Sequence, residues 1–296
     1  MRRRPRAAPT RLAPTCLALI CAAVLACLAA PLAAQTAKQL FAPVTHPSTG
    51  RADAIGQNSL GCLAGGYQLP ESGPTWQAMR LSRNHHWGTP EMLAFIERLS
   101  VNATRVGWRG IYVGDISQPR GGPVAGHASH QTGLDADIWL NPPQRLNLTP
   151  GERERISAIN VRTRDRRGLN ANWSASHEAL LSLAARDPAV NRIFITAPAK
   201  LAMCARVPAR DRAWLRKIRP WWGHNDHFHV RLNCPRGARS CVPPPPLPPG
   251  DGCAEAVWWV TEALKPPDPT APKTKPKPPA RLADLPPRCT EVLSSR

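Results

Sequence analysis

Fifteen of the chain's 34 prolines fall within the 45 residues from Pro243 to Pro287. Proline fixes its own φ, lacks an amide donor and pushes its predecessor toward extended backbone, so such a stretch cannot bury a core of its own. Residues 266–279 read as a Lys/Pro-rich, polyproline-type segment. Composition alone would describe a free tail, yet Cys253 and Cys289 lie inside it. Their partners have to be sought in the preceding body, so we expect an extension over 243–296 strapped back onto one domain over 35–242. The chain's 296 residues suffice for one domain of roughly 100 to 200 residues with additions.

Residues 1–34 open with Arg2, Arg3, Arg4, Arg6 and Arg11, turn apolar from about Leu17 to Leu32 and close on Ala33-Ala34, the layout of a secretory signal peptide. A membrane anchor needs a run of roughly 20 apolar residues, and a lipoprotein acylated at Cys27 would not stay apolar past that cysteine. Cleavage and export are therefore expected, with no transmembrane segment in the mature chain. Removing those five arginines takes the net charge from +19 to +14, still basic enough to point to an acidic partner. Nucleic acid is disfavoured, because export separates the protein from it and Tyr and Phe are few, 2 and 4. Cys16, Cys21 and Cys27 leave with the signal, and Cys62, Cys204, Cys234, Cys241, Cys253 and Cys289 remain. An even number in an exported chain reads as a disulfide framework. Sequence favours only the local pair, Cys234 with Cys241; the other pairings stay open at this point.

Periodicity predicts an α+β fold, with a small antiparallel sheet, flanking helices and long loops. Residues 53–88 are rich in Gly, Pro, Ser and Asn and read as an irregular lead-in. Thr89-Pro90-Glu91 starts a helix near 90–100, with Met92, Leu93, Phe95, Ile96 and Leu99 at helical spacing. Residues 105–116 and 134–140 read as strands, a helix follows Ser174, and 190–196 is a buried strand. A short helix is expected over 211–218, stopped by Pro220. His227 to Leu232 alternates with period two and reads as the last core strand.

Two segments carry chemistry. The first runs from Gly126 to Asp137 and holds His127, His130, Asp135 and Asp137; the second runs from Trp221 to His229 and holds His224, His227 and His229. Residues two apart on a strand face the same way, so His227 and His229 share a face, as do Asp135 and Asp137. If the two strands lie side by side, His130, Asp137 and His229 can converge on one ion. Two imidazoles and a carboxylate leave a tetrahedral zinc one open position, which marks a catalytic site. Histidines at a strand entrance are more often ordinary surface or core groups, but two clusters this dense favour the metal.

The run His130-x-x-Gly133-x-Asp135-x-Asp137 and the run His224-x-x-His227-x-His229 resemble the motifs of the penicillin-insensitive murein endopeptidases. These are zinc peptidases related to the LAS group, named for lysostaphin, D-Ala-D-Ala peptidases and sonic hedgehog. The likeness extends to Gly61-Cys62-Leu63-Ala64-Gly65, Met79-Arg80-Leu81-Ser82-Arg83-Asn84, Trp214-Leu215-Arg216-Lys217 and Gly250-Asp251-Gly252-Cys253, and covers nearly all of the mature chain. The resemblance implies an LAS-type domain with one zinc ion on His130, Asp137 and His229, His127 being a further ligand in some descriptions. It makes His227 the general base for the attacking water and His224 a stabiliser of the oxyanion or the leaving group. Asp135 would orient a ligand imidazole. Three disulfides are also implied: Cys62 with Cys289, Cys204 with Cys253, and Cys234 with Cys241.

Some relatives carry a second metal on an Asp-x-x-His, and the matching stretch here is Asp165-Arg166-Arg167-Gly168. The histidine is missing, so no second zinc is expected. His85, His86 and His177 read as structural or surface groups. The function implied is hydrolysis of D-alanyl-meso-diaminopimelyl cross-links of peptidoglycan in the periplasm, with a basic surface held on a carboxylate-rich polymer. The alternatives are a D,D-carboxypeptidase or dipeptidase using the same site, and a non-catalytic wall-binding module.

Overall fold

The computed structural model describes residues 35–270, 272 and 277–295. The expected signal peptide with its three cysteines, and part of the Lys/Pro segment, lie outside the described residues. In chain order the elements are α1 (Ala37–Phe41), β1 (Asp53–Gln57), β2 (Leu60–Ala64), β3 (Tyr67–Gln68), β4 (Trp76–Ala78), β5 (Trp87–Gly88), α2 (Pro90–Arg105), β6 (Ile111–Val113), β7 (Asp135–Trp139), α3 (Pro150–Arg155), α4 (Ala175–Arg186), β8 (Val190–Ile195), α5 (Ala197–Arg206), β9 (Ile218–Pro220), β10 (His227–Leu232), α6 (Cys253–Val260) and α7 (Arg288–Ser294). Helices and sheets are mixed, as expected. No helix among the described residues is long and apolar enough to cross a membrane.

Six strands form the main sheet in the order β4-β6-β7-β10-β8-β9. The inner four are antiparallel neighbours, and β4 and β9 join the edges in parallel. The strand β7 is buried along its whole length. Its even residues Ala136 and Ile138 join Phe228 and Val230 of β10 in the main core, together with Met92, Phe95, Ile96 and Leu99 of α2 and Leu180, Leu181 and Ala184 of α4. Period-two alternation then puts Asp135, Asp137 and His229 on the opposite face. The strand β2 is tied to the segment before β7, with Leu63 N–H donating to Arg120 O at 2.9 Å and Gly61 N–H to Gln131 Oε1 at 3.1 Å, and Asn58 at the β1–β2 turn donates to Asp135 Oδ2 on that polar face at 3.0 Å.

Local chemistry accounts for the elements and for three departures from expectation. Thr89 caps α2, its Oγ1 accepting from Met92 N–H at 3.3 Å, and Pro90 takes the first turn, where its missing amide costs nothing. The helix runs on to Arg105, and the strand expected over 105–116 shrinks to three residues. Gly107 and Gly110 separate the two with φ of +90° and +146°, and a Cβ on Gly110 would meet Thr75 O at 2.0 Å. Second, the supposed irregular lead-in contains β1 to β5, including the antiparallel hairpin of β1 and β2. Strands of two to five residues are too short to register against that composition. Third, residues 209–217 form a 3-10 helix, and Pro220 lies in edge strand β9, where a missing donor breaks no ladder.

The disulfides are Cys62–Cys289, Cys204–Cys253 and Cys234–Cys241, the pairs the resemblance implied. The first ties α7 to β2, where Leu285 and Val292 pack against Phe41 and Ile55; the second ties α6 to α5. A Cys204→Ser, Cys253→Ser double variant is expected to lose about 2–4 kcal/mol of stability, because the unfolded chain regains the freedom of a long loop. Denaturant unfolding of parent and variant checks this; equal midpoints would contradict it.

Candidate metal centre

Antiparallel pairing sets His229 of β10 directly opposite Asp137 of β7. His130 reaches the same point from the loop before β7, in a left-handed conformation at φ +66° that β-carbons disfavour. Its position is held by two bonds: Nδ1–H donates to Ile116 O at 2.8 Å, and the backbone N–H to Asp135 Oδ2 at 3.3 Å. Gly133, at φ +71°, turns the chain into β7, and a Cβ there would press on Leu63 Cδ2 at 2.9 Å and Gly88 Cα at 3.0 Å.

His130 Nε2 and His229 Nδ1 each lie 3.3 Å from Asp137 Oδ1 and 3.2 Å from one another. Ligands about 2.1 Å from a tetrahedral ion stand roughly 3.4 Å apart, so this triangle has the edge length of a zinc site. The donor set fits too. His130 commits Nδ1–H to Ile116 O, and His229 commits Nε2–H to Asp135 Oδ1 at 2.8 Å, so in the neutral rings both remaining nitrogens turn lone pairs inward. Asp137 Oδ1 is buried and accepts no hydrogen bond. Facing lone pairs around an orphaned carboxylate oxygen repel one another unless a cation lies between them.

His127 stands on the rim. Its Nε2–H donates to Asp115 Oδ2 at 2.9 Å, leaving Nδ1 3.8 Å from Asp137 Oδ2. The set His127, His130 and Asp137 offers ligand atoms within 4.8 Å of one another. It is a looser set than the triangle with His229, with His127 Nδ1 set back on the rim. His227, two residues before His229, has Nε2 3.6 Å from Asp137 Oδ1, while its Nδ1–H donates to Asp226 Oδ1 at 2.7 Å. His224 Nδ1–H donates to Trp222 O at 2.7 Å.

Asp135 is fully buried and accepts from His229, from Arg231 Nε at 2.7 Å and from Asn58 Nδ2 at 3.0 Å. Burial would raise its pKa, but the charges of Arg231 and His229 outweigh that and hold it well below the usual carboxylate range. Asp115 behaves likewise: burial raises its pKa, and the hydrogen bond from His127, with His85 3.5 Å away and the charge of Arg83, pulls it far down. Burial lowers the proton affinity of His224, helped by His227 and His229, to a pKa of about 3. For His227 and His229 burial also acts downward, but the neighbouring carboxylates win and both are raised above 6.5.

The carboxylates thus favour a proton on His227 and His229 more than on a free imidazole. The stabilisation from His227 and His229 is complete below 6.5 and is lost as pH climbs through their higher folded values. A cation held by the triangle would compete with those protons. The metal-induced rise in melting temperature is thus expected to be larger at about pH 8 than at about pH 6, and equal shifts at the two pH values would contradict the shared site.

Three contributors carry no sequence signal of their own. Asp115 follows the three-residue β6 as a lone aspartate, yet its backbone O accepts from Asp137 N–H at 2.9 Å and its side chain gathers His127, Arg83 and His85. Ile116 contributes a backbone carbonyl. Asp226 lies inside the motif, and only the direction of its side chain reveals its bond to His227. His86 and His177 are buried away from the centre, on Met79 O and Leu140 O. Asp165 accepts from Thr163 Oγ1 at 2.5 Å and Arg167 N–H at 3.2 Å, within its own loop.

A sequence model described as penicillin-insensitive murein endopeptidase matches residues 54–294. Among curated relatives of that name, the chain is 40% identical to the Haemophilus influenzae protein over 250 residues, 83% of this chain and 84% of the relative. It is also 40% identical over 255 residues to those of Citrobacter koseri and Salmonella heidelberg, covering 84% of this chain and 89% of each relative.

Proposed function

The chain belongs to the penicillin-insensitive murein endopeptidase family, and from that premise we propose that it is a periplasmic zinc peptidase hydrolysing D-alanyl-meso-diaminopimelyl cross-links of peptidoglycan. The observation that carries the metal is the triangle of His130 Nε2, His229 Nδ1 and Asp137 Oδ1, with Oδ1 lacking any donor. His130, Asp137 and His229 would hold one zinc ion, with His127 a further donor on the rim. Bound there, zinc supplies Lewis acidity that polarises a peptide carbonyl and makes water a better acid.

The chain's own residues then divide the proton work. Asp226 anchors Nδ1–H of His227 and favours its protonated form, so Nε2 can take a proton from the attacking water and pass it to the leaving amine. His224 stays neutral with its one N–H on Trp222 O, so its Nε2 is an acceptor. That chemistry suits a hydrogen bond from the leaving amine and not donation to an oxyanion. Asp135 fixes the ring of His229. With water as nucleophile no acyl-enzyme forms, and β-lactams have no serine to trap. In this account the four antiparallel strands are the LAS-type core, 35–242 is the peptidase domain and 243–296 its strapped extension. The excess of basic residues holds the enzyme on a carboxylate-rich wall.

Incubating the purified protein with dimeric muropeptides tests this. Monomers should appear, disappear with chelator and return with zinc; undiminished cleavage by metal-stripped protein would refute the metal mechanism.

A further inference from the structure

The C-terminal extension brings two tryptophans to the two that precede the catalytic histidines. Trp258 and Trp259 lie on α6, and the Trp259 ring is 5.9 Å from Trp221, 4.9 Å from Trp222 and 5.6 Å from Trp258. Trp221, Trp222 and Trp258 are 54%, 41% and 52% exposed, high values for indoles that touch a common neighbour. The cluster is fixed in place and not a frayed tail. Cys253, at the start of α6, is bonded to Cys204; at its end Val260 O accepts from Arg167 Nη1 at 2.7 Å, and the guanidinium of Arg166 lies 5.0 Å over the Trp222 ring. It is also continuous with the site. Trp222 O holds His224, and Trp221 packs 5.7 Å from Phe194, itself 5.4 Å from His229.

We propose that Trp221, Trp222 and Trp258, with Arg166, form a binding surface for the sugar rings of the glycan strand that carries the peptides. The choice of sugar rests on the murein substrate proposed above. Stem peptides offer carboxylates, amides and methyl groups, with no aromatic or branched side chain to cover three indoles. A pyranose ring offers flat C–H faces that stack on indole, and hydroxyls within reach of a guanidinium. An exposed aromatic patch rimmed by arginine beside a catalytic centre suits such a ligand. The extension then has a task beyond bracing the fold: it supplies Trp258, one of the three indoles that hold the polymer while the cross-link is cut, and Trp259, against which all three pack.

Calorimetric titration of the full protein with peptide-free oligosaccharides of alternating N-acetylglucosamine and N-acetylmuramic acid, and separately with sugar-free cross-linked peptide dimers, tests this. The parent should bind the oligosaccharide saturably. Trp258→Ala and Trp222→Ala should each lower the ratio of glycan to peptide affinity about tenfold, the scale of one lost aromatic contact. Absent glycan binding by the parent overturns the proposal, as does an unchanged ratio in both variants. Concentration-dependent dimerisation that Trp258→Ala abolishes, without glycan binding, would instead make the patch a self-association surface. Glycan binding by a parent that releases no monomers from dimeric muropeptides would sink the endopeptidase assignment and leave this surface standing.

Discussion

His229→Ala is expected to purify without stoichiometric metal and to show no detectable hydrolysis of dimeric muropeptides. His229 supplies one corner of the triangle, and its Nε2–H is one of the donors that keep buried Asp135 ionised. Removing the ring takes away an inward lone pair and leaves both carboxylates under-compensated. Loss of an outer hydrogen-bond partner alone typically weakens a metal site about 10–100-fold, so deletion of a ligand should exceed that range. Metal content and turnover should fall together. Because Phe228 and Val230 still fill the core on the other face of β10, the secondary structure should persist by circular dichroism. A His229→Ala protein that retains one equivalent of metal would remove His229 from the site.

His227→Ala should separate what His229→Ala joins. His227 Nε2 lies 3.6 Å from Asp137 Oδ1, outside the triangle, while Nδ1–H is anchored on Asp226. The variant should keep its metal and lose about 10²–10⁴-fold in kcat, the usual worth of a positioned general base. Asp226→Asn should fall in the same direction by a smaller factor, since it disturbs only the tautomer and proton affinity of the base. Full turnover by His227→Ala would require another base, and parallel loss of metal would make His227 a ligand.

The parts of the centre visible in the sequence are those that obey strand periodicity. Asp135 and Asp137, or His227 and His229, must share a face wherever a strand carries them. The pairing of His229 with Asp137 depends on register between segments about ninety residues apart, which spacing cannot set. Asp115 and Ile116 escape for another reason: one is a single carboxylate beyond a three-residue strand, the other acts through its backbone. Proline masks the extension in the same way. Its composition speaks only for polyproline-type chain, yet between two proline runs the chain makes α6, buries Ala256 and Val260 and sets Trp259 against Trp221 and Trp222.

Zinc K-edge absorption spectroscopy on the purified protein addresses the central claim most directly. One equivalent of zinc with a shell of imidazole nitrogens and carboxylate oxygen at about 2.0–2.2 Å is the predicted result. A protein that takes up no stoichiometric metal, or a shell dominated by sulfur at about 2.3 Å, would contradict it.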